Sequence, residues 1–185
     1  MHTFVNKVSR LLLIAATATL APAATLAAEK ASPEQSARAA YKNLVATVPA
    51  AKALSKTAVA VLVFPAITKA GLVVGGQYGE GVLFRKGGKA AGKYSTAGAS
   101  YGLQAGIQKY GYAMFFMNDG ALDALDRTDG FEIGVGPSIV VVDQGMGKSA
   151  TTMTAQSDIY AFIFSQKGLM AGVGLQGNKI TKKSD

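Results

Sequence analysis

Hydrophobic positions follow two different rhythms along the chain. In SPEQSARAAYKNLVATV, residues 32–48, Ala37, Tyr41, Leu44, Val45 and Val48 share one face at helical spacing. Ser32 stands before them as an N-cap, Pro33 takes the first helical position and Gln35 completes a capping box. Pro49 opens a second short helical stretch, PAAKALSK, in which Lys52 and Lys56 share a face. The rhythm then turns to that of strands. AVAVLVF is continuous and β-branched, as in a buried strand. YGLQAGIQKYGYAMFFM alternates, with Tyr101, Leu103, Ala105 and Ile107 on one side. FEIGVGPSIVVV alternates through Phe131, Ile133, Val135, Ile139 and Val141. TTMTAQSDIYAFIF and GLMAGVGLQ continue in the same style. Lys86-Gly87-Gly88, Asp129-Gly130, Gln144-Gly145 and Lys167-Gly168 read as turns. One helical stretch interrupts, NDGALDALDR, capped by Asn118 or Asp119. The pattern predicts an α+β fold: a curved or nearly closed antiparallel β-sheet of about seven to nine strands, an N-terminal helical segment and one short internal helix.

Composition sharpens this picture. All 22 glycines fall between Gly71 and Gly177, so the change of rhythm is also a change of composition. Glycine on strand faces implies tight curvature or close approach of another backbone. Hydrophobic residues make up 49% of the 185, enough for one domain with a core.

The first residues do not belong to that domain. MHTFVNKVSR carries Lys7 and Arg10 and no acid; an apolar run, LLLIAATATL, and small residues follow. This is the layout of a secretory signal peptide. Cleavage is expected after Ala27 or Ala28, with Ala21-Pro22-Ala23 a second option. That leaves 1–28 as the signal, 29–185 as a single domain and a periplasmic or secreted location. The apolar run is about half of the ~20 residues that a spanning helix needs.

The chain has no cysteine, and its one histidine, His2, would leave with the signal. Lipid attachment at the signal, disulfides, thiolate zinc sites and cysteine nucleophiles are excluded. The commonest general base and metal ligand is missing as well. Ser95, Lys93 and Glu80 show no nucleophile-base spacing. No catalytic residue, metal or cofactor is expected, and the chain does not read as an enzyme.

Three motifs fail on context. VVVDQGMGKSATT ends as a P-loop does, at Gly147-Lys148-Ser149, but Val142 stands where the first glycine belongs and a Thr-rich, strand-like stretch follows. GVGLQG fits G-x-G-x-x-G, yet too little chain follows it for a dinucleotide unit. Asp119, Asp123, Asp126, Asp129 and Glu132 lack EF-hand spacing.

Charge is more informative. Residues 29–109 hold 11 basic and 3 acidic side chains; residues 110–185 hold 6 and 8. The basic half includes Lys52, Lys56, Lys69, Arg85, Lys86, Lys89 and Lys93. A one-sided basic domain suggests an anionic partner surface. For an exported protein that means phospholipid headgroups or envelope polyanions before nucleic acid.

VLVFPAITKAGLVVGGQYGEGVLFRK, STAGASYGLQAGIQ, MNDGALDAL, FEIGVGPSIVVVDQGMGKSA and SQKGLMAGVGLQG, in this order, resemble the SYLF-domain family, also catalogued as an actin-regulator domain. The resemblance runs from about Ala31 to Ile180. It implies binding to membrane phospholipid, often anionic, through an N-terminal amphipathic helix and basic residues, with Lys69 at a motif position. The seven basic residues above are the candidate lipid-binding set. Tyr94, Thr96-Ala97 and Gln166 stand where family members commonly carry Trp, Pro and a basic residue. Actin binding is not carried over to an exported chain. The alternatives are a non-enzymatic module that binds another envelope protein, and an outer-membrane β-barrel, which the polar ending ITKKSD disfavours.

Overall fold

The computed structural model describes residues 31–71, 74–101, 106–127, 130–132, 138–143, 157–168 and 178–184. The expected signal segment, both glycine motifs, the Gln144-Gly145 turn, GLMAGVGLQ after Gly168, and Leu103, Ala105, Asp129, Ile133 and Val135 lie outside the described residues.

Helix α1 spans Pro33–Thr47. Its capping box is complete: the Gln35 N–H donates to Ser32 Oγ at 3.1 Å and the Ser32 N–H to Gln35 Oε1 at 2.9 Å. Ala37, Leu44 and Val48 are buried, with Tyr41 and Val45 partly so, as the spacing predicts. Val48 is extended because the residue before a proline avoids helical geometry. Pro49 then starts α2, Pro49–Leu54.

Four long strands follow, β1 (Ala60–Gly71), β2 (Val74–Arg85), β3 (Ala90–Tyr101) and β4 (Gly106–Phe116). Helix α3 (Asp119–Leu125), capped by Asn118, leads to β5 (Phe131–Glu132), β6 (Ile139–Asp143), β7 (Ile159–Gly168) and β8 (Asn178–Lys182). These form one 8-stranded sheet in the order β5-β8-β3-β2-β1-β4-β7-β6. Covalent connection forces this sheet to curl. Laid flat, its edges would stand roughly 34 Å apart at ~4.8 Å per strand spacing. Yet β5 ends at Glu132 on one edge and β6 starts at Ile139 on the other. The chain between them extends to about 25 Å at most. The sheet is therefore a half-barrel, in line with the expected nearly closed sheet.

Several sequence expectations need correction. FEIGVGPSIVVV is not one strand: β5 and β6 lie on opposite edges, and β6 pairs in parallel with β7, unlike every other pairing. YGLQAGIQKYGYAMFFM is likewise divided, with Tyr101 ending β3 and Gly106 starting β4, and β2 and β1 lying between them in the sheet. Alternation alone does not reveal a break when both flanking strands keep the same period. Lys167-Gly168 is not a turn; it ends β7 opposite Lys109 and Gln108. AVAVLVF continues past Pro65, which sits where β1 shifts register against both neighbours. A bulge admits a proline into this central strand.

The two faces of the sheet carry separate cores. Inside the curl, Ala60, Leu62, Phe64 and Ile67 pack with Tyr112, Met114 and Phe116, and α3 closes one end with Ala121, Leu122 and Leu125. Gly81 makes the curl possible, because a Cβ there would stand 2.6 Å from the Phe64 ring. Outside, Val61, Val63, Val82, Phe84 and Phe115 pack under α1 and α2. Tyr41 lies 6.4 Å from Phe84, ring to ring, and the Arg38 guanidinium stands 4.9 Å over Phe84. Arg38 also donates to the Gly88 carbonyl at 3.0 Å, which fastens the helix to the β2–β3 hairpin.

Candidate functional site

The candidate basic residues fall into two places. Lys52 and Lys56 are exposed on α2 and the turn after it, and Arg85, Lys86 and Lys89 are exposed around the β2–β3 hairpin. The Lys86 N–H donates to the Val59 carbonyl at 3.1 Å, so hairpin and turn adjoin. Lys56, Arg85, Lys86 and Lys89 thus gather at the helix-side end of the half-barrel. Lys93 is exposed farther along β3, opposite Val82. Lys69 is elsewhere: it lies on the inner face near the other end and is only 1% exposed. The apolar face of α1 is occupied by the sheet, so its exposed side is polar.

Around Lys69 the inner face changes character. Strand register places Gly168, Gln108, Lys69, Gln77, Gly98 and Asn178 side by side on one rung crossing six strands. Lys69, Gln77, Gln108 and Asn178 are all buried. The Tyr110 hydroxyl donates to Gln77 Oε1 at 2.9 Å, and Gln77 Nε2 donates to Asn178 Oδ1. Gly98 lies beneath that second bond, and a Cβ there would collide with the Asn178 carboxamide. Gln108 Oε1 and the Tyr112 hydroxyl have no hydrogen-bond partner. Among the described residues no hydrogen bond or ion pair holds the Lys69 ammonium. The next rung outward is Ser100–Gly75–Gly71–Gly106, glycine on three of its four strands. Among the described residues the end opposite α3 is therefore a mouth rimmed chiefly by glycine.

The outer face at the mouth is uncovered among the described residues. Val74 and Ile107 are each 64% exposed, and Tyr78 is 52% exposed. Ile107, Ala70, Gly76 and Ala99 form one rung of it. One rung inward, register aligns Lys167, Lys109, Thr68, Tyr78, Ala97 and Lys179, with exposed Glu132 beyond Lys179 on β5. All three of these lysines are exposed. A shallow hollow of 550 Å³ lies over Tyr78, Ala70 and Ala97. An apolar tip with a collar of lysines was not legible in the sequence, because Lys109, Lys167 and Lys179 are far apart in the chain.

Buried tyrosines line the inner wall. Burial pushes the Tyr110 hydroxyl up to about 12, and burial together with Tyr110 raises that of Tyr112 further. At the closed end Tyr94 donates to Asp126 Oδ1 at 2.6 Å, and Lys182 pairs with Asp126 Oδ2 at 3.1 Å. Burial opposes ionisation of Asp126, but these bonds and the nearby cations outweigh it and hold its carboxyl below the usual range. The acidic stretch is thus partly a clasp between α3 and β3 and β8. Among the described residues no group of His, Cys, Asp or Glu is arranged to hold a metal ion.

A family model described as Ysc84, Las17-binding protein actin regulator, matches residues 97–185. The match includes Gln108, Tyr110, Tyr112 and Asn178 of the inner wall and the three collar lysines. Comparison with curated proteins gives no match.

Proposed function

Through residues 97–185 the chain belongs to the Ysc84 family, the SYLF-domain family it resembles, and we propose that it is an exported envelope protein that docks on anionic phospholipid membranes. The family is consistent with a lipid-binding or interaction module. The observation that carries the finer reading is the mouth end, where exposed Val74, Ile107 and Tyr78 stand beside Lys109, Lys167 and Lys179. Apolar side chains that enter a bilayer, with lysines one rung behind at headgroup depth, describe a peripheral membrane tip. Three lysines at an anionic surface contribute up to about 3 kcal/mol, less the opposing charge of Glu132 beside Lys179. Val74 and Ile107 add about 1.5 kcal/mol or more each on burial. Together these approach the ~8 kcal/mol of micromolar binding.

Contact through the helix-containing basic half is the competing geometry. Lys56, Lys86 and Lys89 supply charge there, but α1 has no free apolar face. Vesicle sedimentation separates the two. Lys109→Glu, Lys167→Glu and Lys179→Glu together should abolish binding to anionic vesicles, while Lys56→Glu, Lys86→Glu and Lys89→Glu should only weaken it. The reverse order would move the contact to the helix end. A protein that ignores vesicles and captures one envelope protein stoichiometrically would favour the interaction-module reading.

A further inference from the structure

The inner rung has features that neither folding nor a surface docking role requires. A lysine that is almost fully buried normally has a carboxylate beside it, because an unpaired ammonium is costly out of water. Lys69 has neutral neighbours on its rung, Gln77 and Gln108. Two further polar groups of the same wall, Gln108 Oε1 and the Tyr112 hydroxyl, are buried without partners. Gln77 and Asn178, by contrast, are held by Tyr110 and by each other. The Gln77–Asn178 side of the rung is thus hydrogen-bonded, and the other side presents the Lys69 cation and the unpartnered Gln108 Oε1, with the unpartnered Tyr112 hydroxyl two inner-face positions farther along β4. Beyond Lys69 the next rung is glycine on β1 and on both its neighbours, Gly71, Gly75 and Gly106, so among the described residues these three strands put no side chain between Lys69 and the mouth.

We propose that Lys69, Gln108 and Tyr112 form an internal anion site that receives a phosphate group through the glycine mouth. The ammonium supplies the counter-charge, the Tyr112 hydroxyl and Gln108 Nε2 can donate to phosphate oxygens, and the unpartnered Gln108 Oε1 can accept from a hydroxyl of the headgroup or of hydrogen phosphate. Wall and mouth suit the headgroup of a single anionic phospholipid or a free phosphate ion. The first source rests on the membrane reading above, since the mouth opens at the end assigned to the bilayer. Lys69 then acts from inside the half-barrel and not as one more surface charge.

Isothermal titration of the purified protein tests this with inorganic phosphate, a soluble short-chain phosphatidylglycerol and its phosphatidylcholine analogue. Binding of the anionic lipid is expected, with Lys69→Met weakening it about tenfold to a hundredfold, as loss of one partner of a buried charge pair does. Tyr112→Phe, which keeps the packing, should weaken it several-fold. Lysine-side-chain NMR of the unmodified protein gives a readout independent of any variant: one lysine signal should shift on binding. Phosphate binding as tight as the lipid's would assign the site to the free ion; weaker phosphate binding would assign it to the lipid. Binding that Lys69→Met and Tyr112→Phe leave intact, or no binding of either anion, would overturn the internal site. The membrane reading would survive that result if vesicles still sediment the protein. Lys69-dependent binding without vesicle binding would overturn the docking reading and leave the internal site standing.

Discussion

Asn178 fills the space that a side chain would take at Gly98, its partner on the neighbouring strand. Gln77 reaches Asn178 across this gap, and Tyr110 secures Gln77 from the other side. Three strands that are remote in sequence are thereby tied on the inner face. Gly98→Ala should displace the carboxamide and leave buried amide groups unsatisfied, at a cost of about 1–3 kcal/mol. Urea denaturation measures it; an unchanged midpoint would mean that the rung is not a unit.

That rung also marks how far the sequence could be read. The helix from Pro33 is written locally, in Ser32, Pro33 and Gln35, and it forms as expected. The sheet-rich character, the approximate number of strands and the curvature follow from alternation and glycine content, but the breaks within FEIGVGPSIVVV and YGLQAGIQKYGYAMFFM do not. Strand order does not, because pairing is a long-range property. Phe131 and Ile139 keep one alternation while standing on opposite edges of the sheet. Lys69 was legible as a basic residue at a family motif position, but its burial depends on which strands flank β1. Asn178 carries no local signal at all, and only the β3–β8 register brings it to Gln77.

The two inner-wall tyrosines should behave oppositely on truncation. Tyr110→Phe removes the donor to Gln77 Oε1 and should destabilise the fold by about 1 kcal/mol or more. Tyr112→Phe removes a buried hydroxyl that has no partner and should be neutral or stabilising at pH 7. Equal losses in thermal denaturation would show that the Tyr112 hydroxyl is bonded.

Alkaline stability follows from the same wall. Tyr94, Tyr110 and Tyr112 have raised pKa values in the fold, each chiefly through burial. Unfolded tyrosines ionise near pH ~10, so above that pH the unfolded chain binds fewer protons than the folded one. Stability should be fully present below pH ~10 and fall as pH rises through the folded values. Denaturation midpoints that stay flat from pH 9 to pH 11.5 would contradict the burial of these hydroxyls.

The Asp126 clasp sets the acid limb. Its carboxyl is held below the ordinary range, so its contribution is present above pH ~4 and lost as pH falls through the lower folded value. Asp126→Asn should lower stability at neutral pH and flatten the acid limb. A variant with an acid limb as steep as the parent's would place that limb on other carboxylates, Asp158 first, which Asn118 and Ser138 hold below its usual range.

Helix α1 is held by packing more than by its cap. Leu44→Ala should cost about 2–5 kcal/mol because the side chain is wholly enclosed. Ser32→Ala should cost about 1 kcal/mol. Melting curves of the two variants give the ratio, and a cap loss larger than the core loss would mean that α1 contributes little buried surface.

Membrane docking is tested most directly by co-sedimentation of the purified protein with neutral and anionic vesicles at low and high salt. Binding to anionic vesicles, weakened but not erased by salt because apolar side chains also enter the bilayer, is the expected result. Absence of binding to either vesicle at low salt would contradict a membrane-docking tip.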